Sequence, residues 1–203
     1  EFDWGEDRPS GAAAGWNPLA NLIEDKYLRT TDKISGRTFI DLGGVDNGVL
    51  KGMKLSVNYG FDYTMSKRRT YNNPDFGNAS SYNGMIQIRD IRQFSYTFNQ
   101  LLTWNRTFEK HNIDFLAGHE LYKFNRQLLS ATKTGFPFAG LYELDAATTI
   151  YSTESYTDNY VIESYLSRLN YNYNDKYYLS GSFRKDGTSR FNKNVRWGDF
   201  WSV

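Results

Sequence analysis

Few side chains in this sequence are typed and spaced for covalent chemistry. His111 and His119 are the only histidines and stand eight positions apart. No HExxH or other paired-ligand spacing surrounds them. His111 falls in a turn and His119 on the apolar register of a strand, so structural roles near an interface are expected for both. Glu143 and Asp145 lie close together on a loop. Glycoside hydrolysis needs two carboxyls about 5–9 Å apart across a cleft, and no supporting pattern surrounds this pair. Asp46, Asn47 and Asp62 do not form a calcium loop. The chain has no cysteine, which excludes thiolate nucleophiles, disulfide frameworks and cysteine-based zinc sites. No enzyme activity and no cofactor are expected.

Non-covalent binding is better supplied. The stretch 71–84, YNNPDFGNASSYNG, mixes rings with amides. Tyr71, Phe76 and Tyr82 could stack on sugar rings, and Asn72 or Asn73 could hydrogen-bond hydroxyls. Ordinary hydrophilic loops share this composition. Residues 183–200, FRKDGTSRFNKNVRWGDF, raise a different question: a strand runs directly into a segment that is both charged and aromatic.

The elements that position these residues are strands. From Met53 to Ser66 the odd positions read Met, Leu, Val, Tyr, Phe, Tyr, Met, and the even ones are polar or glycine. That is the period of a strand with two unlike faces. The alternation returns in 94–105, with a local break at Gln100 and Leu101, and again in 113–118, 165–173 and 177–184. Segment 33–46 is a weaker strand candidate, and 199–203 begins another. About six strands are expected, with one short helix candidate at Pro18–Tyr27. Short connections (47–52, 109–112, 174–176) alternate with long ones (71–84, 133–156, 187–198). An antiparallel meander with tight turns at one end and long loops at the other produces that order.

Composition narrows the setting. Lys and Arg total 24 against 23 Asp and Glu, which gives no general case for nucleic acid. Aromatics make 17% of the chain but all hydrophobic residues only 39%, so much of the apolar surface is amphipathic ring. Such rings suit surfaces that are greasy on one side and wet on the other. A membrane interface and a sugar-binding cleft both qualify. No apolar run reaches the ~18 residues of a membrane-spanning helix. The alternating runs exceed an ordinary strand of about 5–6 residues and the roughly 9–11 of a transmembrane one. Apolar and polar faces, aromatic rings and one set of long loops together match an outer-membrane barrel. A soluble β-rich carbohydrate-binding module remains the alternative. Lys67, Arg68 and Arg69 read as a solvated strand end, or as a contact for anionic lipopolysaccharide. The first residues lack Met and a signal peptide, and the last stop inside a strand, so a fragment of a longer protein is expected.

Residues 168–203, RLNYNYNDKYYLSGSFRKDGTSRFNKNVRWGDFWSV, resemble a barrel segment of the SusC/RagA-like TonB-dependent outer-membrane transporters. That family's motif, RxDGSSRFGxxxRWGxFPS, is matched at Arg184, Asp186, Gly187, Ser189, Arg190, Phe191, Arg196, Trp197, Gly198, Phe200 and Ser202. Thr188 replaces Ser, Asn192 replaces Gly and Trp201 replaces Pro. WNPLANL (16–22) and TGFP (134–137), after LAGHELYK (116–123), are similar to further family segments.

The resemblance implies an all-β, antiparallel up-and-down meander, part of a roughly 22-stranded transmembrane β-barrel. Residues 1–203 would be a partial barrel, with extracellular loops near 71–84, 133–156 and 187–198; the plug domain and remaining strands would be absent. It implies active nutrient import across the outer membrane of a Gram-negative bacterium, of oligosaccharides most often and sometimes peptides. TonB acting on the plug and a SusD-like surface lipoprotein would be partners, with outer-membrane lipid around the wall. Asp186, Arg190 and Trp197 would then shape a loop rather than touch cargo, and Trp197 and Phe200 would sit near the outer interface.

Overall fold

The computed structural model describes residues 22–44, 47–48, 50–75 and 77–203. Seven strands form one sheet in sequence order: β1 (Lys26–Gly43), β2 (Met53–Asn72), β3 (Met85–Phe108), β4 (His111–Thr134), β5 (Thr149–Tyr173), β6 (Tyr177–Thr188) and β7 (Trp197–Ser202). This is the up-and-down meander that the alternation predicts. Strands β2 to β5 run 20, 24, 24 and 25 residues, several times the usual length.

Turn chemistry explains the tight ends. Glu109, Asn174 and Asp175 hold positive φ, a region Asn and Asp tolerate better than most residues. Asn172 closes the β5–β6 turn from both sides. Its amide donates to the Asp175 carboxylate, and its carbonyl oxygen accepts from the Asp175 backbone N–H at 3.0 Å.

Several expected boundaries move. The weaker strand candidate at 33–46 is the second half of β1. Of the helix candidate Pro18–Tyr27, the described residues Leu22–Glu24 are helical, while Lys26 and Tyr27 already belong to β1. The long connections shrink to 73–84, 135–148 and 189–196, because the strands continue into them. The first of these contains a 3-10 helix, Gly77–Tyr82.

Two compact units are distinguished within the chain. One comprises the described residues up to 33, with 64–92 and 126–157; the other comprises 34–63, 93–125 and 158–203. The first has a small core of Tyr71, Ile86, Phe136 and Ala147. Phe136 and Tyr142 meet the Tyr71 ring edge-on at 5.3 and 4.8 Å. Segment 135–148 is pinned there by Gly135 and Phe136 N–H groups donating to the carbonyls of Tyr82 and Asn83. The second unit is a sheet whose two faces differ in chemistry.

Candidate functional site: two faces of a barrel wall

One face is apolar. Tyr59 lies 5.9 Å from Tyr96 and 6.3 Å from Phe61. Met53, Leu102, Trp104, Ile113, Phe115 and Leu169 line a shallow groove with no polar surface on it. Tyr59, Phe94, Leu169, Phe183 and Trp201 are all exposed. Water-soluble proteins rarely leave so continuous an apolar surface uncovered.

Two rows of mixed ring and polar groups bound this belt. In the first, His111 stacks on Phe108 and Tyr171 at 5.5 and 5.9 Å and meets Tyr173 at 5.0 Å. Its Nδ1 hydrogen-bonds the Tyr171 hydroxyl at 2.7 Å, and Tyr173 stacks on Tyr177. In the second, His119 lies 4.9 Å from Tyr165, which in turn lies 6.1 Å from Trp197. His119 Nε2 reaches Glu163 at 3.1 Å, and the Tyr165 hydroxyl donates to the same carboxylate at 2.7 Å. The rows are eight residues apart on both β4 and β5. At about 3.4 Å per residue that is ~27 Å along a strand. With a tilt of about 40° it spans roughly 21 Å of depth, near the ~25 Å apolar band of outer-membrane barrels. Both histidines are therefore boundary markers, and no potential metal cluster exists among the described residues.

The other face is polar and networked. Arg184 makes a two-pronged contact with Asp186, at 2.8 and 2.9 Å, and donates to Ser164 at 3.1 Å. Arg168 approaches Asp114 at 3.6 Å, and Asn170 donates to the same carboxylate. An aromatic platform stands on this face too. Phe124 stacks on Tyr160 at 5.0 Å, and Tyr122 adjoins it at 5.9 Å. The Arg190 guanidinium sits 4.3 Å from the Tyr160 ring centre and donates to Asp158 at 3.0 Å. Sequence reading missed this platform, because the alternation was followed only to 118 on one strand and from 165 on the other. Its signal is the repeat Tyr122, Phe124 two apart, with Tyr160 opposite.

The motif residues span the end of β6, the 189–196 connection and the start of β7. Gly187 pairs with Trp197 and Asp186 with Gly198, and the Trp197 ring lies flat against Gly187. Ser189 docks on β5: its N–H donates to Val161 O, and its Oγ accepts from Val161 N–H. Arg196 O accepts from Thr188 N–H, and Phe191 N–H donates to Thr188 O. Trp197 is at the second aromatic row. Phe200 pairs with Arg184 on β6 and so shares the polar face instead.

The loop residues divide. Tyr71 and Asn73 are each 1% exposed and have no surface to offer a ligand. Tyr71 lies beyond Met65, where the alternation ends; burial pushes its hydroxyl pKa up, and its oxygen accepts weakly from Gly140 N–H. Asp25 holds both asparagines, accepting from the Asn72 amide at 3.0 Å and from the Asn73 backbone and amide at 2.9 and 2.8 Å. Tyr82 is 47% exposed, edge-on to Tyr151. Phe76 lies outside the described residues.

No family model matches the chain. It is 27% identical over 157 residues to TonB-dependent receptor P39 of Formosa agariphila, covering 75% of this chain and 15% of that protein. It is 28% identical over 193 residues to TonB-dependent receptor SusC of Bacteroides thetaiotaomicron, covering 92% of this chain and 18% of that one. The chain thus spans under a fifth of the length of these relatives. Its fold superposes on the RagAB peptide transporter structure with a TM-score of 0.78 at 23% identity, over 89% of this chain and 20% of that one. The two-faced sheet is of the transmembrane β-barrel class. Within that class, the chain is similar over most of its length to a segment of these TonB-dependent receptors.

Proposed function

We propose that this chain is part of the wall of an outer-membrane, TonB-dependent active importer of nutrients in a Gram-negative bacterium. The observation that carries this reading is the apolar belt held between two aromatic rows eight residues apart. Oligosaccharide is the favoured cargo: stacked rings beside hydroxyl and amide groups suit sugar faces and edges. Peptide is the second reading, since a RagAB relative is a peptide transporter. Energy would reach the barrel through TonB acting on a plug region outside these residues, and a SusD-like lipoprotein would cap the outer mouth. The connections near 73–84 and 135–148 would be extracellular. Among the loop residues, Tyr82 and Asn72 retain surface for cargo, and the Phe124–Tyr160 platform is the stronger contact.

Fractionated membranes of the source cells, run on a gel with and without boiling and probed for this segment, test the reading. The expected result is an outer-membrane band far heavier than a 203-residue chain that shifts on boiling. A soluble band at the mass of this chain alone would overturn it and favour a carbohydrate-binding module.

A further inference from the structure

Three arginines fall in one row across adjacent strands. Thr31 and Ser66 hydroxyls stand 3.2 Å apart, Ser35 donates to Asp62, and the Phe61 ring covers Gly36. All three contacts fix one β1–β2 register, and it places Arg29 opposite Arg68. Asn105 N–H donates to Gly52 O, and the Thr103 hydroxyl reaches Lys54 O. The same count, closing at the Asn72–Met85 hairpin, places Arg68 opposite Arg89. Alternation puts all three on the polar face.

Like charges directly opposite one another oppose sheet formation. Other arginines of the chain resolve this with carboxylates: Arg69 with Glu143, Arg184 with Asp186 and Arg190 with Asp158. Among the described residues, no carboxylate forms an ion pair with any of the three in this row. Arg29 Nε donates only to the Ser66 hydroxyl, at 3.4 Å. The Nε atoms of Arg68 and Arg89 are buried with no acceptor, although buried donors are nearly always satisfied. Their surroundings are neutral hydroxyls and an amide. Ser66 and Thr132 are buried, and Gln87 donates to Thr132.

We propose that the Arg29–Arg68–Arg89 row is a binding strip for an acidic oligosaccharide, taking the sulfates or carboxylates of the cargo in its guanidinium forks. This rests on the import reading above. Guanidinium forks match planar or trigonal oxyanions with paired hydrogen bonds, and the hydroxyls alongside suit sugar hydroxyls. Cations on neighbouring strands recur about every 4.8 Å, whereas same-side side chains of an extended peptide recur about every 6.8 Å. An acidic peptide would bring its charges out of step with the row; a sugar ring carries more than one acidic group within a single unit.

The test uses the full-length transporter purified in detergent. A fluorescent sulfated heparin hexasaccharide is the probe, with neutral maltohexaose and hexaglutamate as comparisons. The wild type should bind the sulfated probe, more weakly as salt rises. R29Q/R68Q/R89Q should weaken that binding roughly tenfold or more and flatten its salt dependence, leaving maltohexaose unchanged. Unchanged affinity for the sulfated probe, or a loss confined to hexaglutamate, overturns the proposal. If the triple variant does not fold, Arg68→Lys and Arg89→Lys keep the charge and remove the fork, and unchanged affinity in both is equally fatal. Arg68→Cys, treated with a water-soluble maleimide beside the unsubstituted protein, separates the two readings. Labelling without anion binding sinks only the strip; failure to label sinks the inward-facing assignment on which import rests.

Discussion

Gly187 has no side chain because Trp197 fills the space where one would stand. A Cβ built there would lie 2.6 Å from the indole, so the glycine and the tryptophan of the motif are one device. An aromatic ring laid over a strand glycine covers backbone and pins register. Gly187→Ala should therefore destabilise the barrel by about 1–3 kcal/mol, the usual range for overpacking. The check is the temperature at which the folded band disappears in a heated gel series, and adding Trp197→Ala should remove most of the alanine's penalty. No recovery in the double variant would mean the two do not share the space. Asp25 is a second single-residue control point, since one carboxylate holds the start of segment 73–84 through three hydrogen bonds. Asp25→Ala removes two hydrogen bonds from the buried Asn73, at a cost of about 1–3 kcal/mol. Limited proteolysis should cut within 73–84 faster in that variant, with the remaining pattern unchanged.

At the scale of elements, the faces decide what a substitution does. Tyr59 is on the apolar face and Asn58 on the polar one. Tyr59→Arg should cost about 2–4 kcal/mol if it lies near the bilayer midplane, and Asn58→Lys should be mild; denaturant titration of the refolded barrel distinguishes them, and small equal effects would dissolve the two-faced assignment. The same contrast explains what was legible beforehand. Strand 53–66 could be read from sequence because one of its faces must be greasy and the other must not. Past Met65 the chain reads Ser-Lys-Arg-Arg-Thr-Tyr-Asn; with both faces polar the period vanishes, and Tyr71 and Asn72, the last residues of β2, passed for loop. Residues 149–156 of β5 were lost for the same reason. Tyr71 and Asn73 look like ligand contacts in a string of letters, and only the packing of 135–148 over Tyr71 and the reach of Asp25 show otherwise. The arginine row requires two strand registers, which no local pattern contains.

At the scale of the whole molecule, the sheet is uneven. The β5–β6 ladder begins at Ile162, opposite Thr188, although β5 starts at Thr149. One further contact, Ser189 against Val161, closes the ladder. Thr149 to Tyr160 therefore present backbone amides on the β6 side that this ladder does not satisfy. In deuterated water those amides become a clock. On this chain's own contacts, alternate positions in 149–160 should exchange far faster than their counterparts in 162–173, which sit between two neighbours. Slow exchange along 149–160 in the intact transporter would instead report that another stretch of protein has joined the ladder, and mass spectrometry of that one peptide would time its arrival.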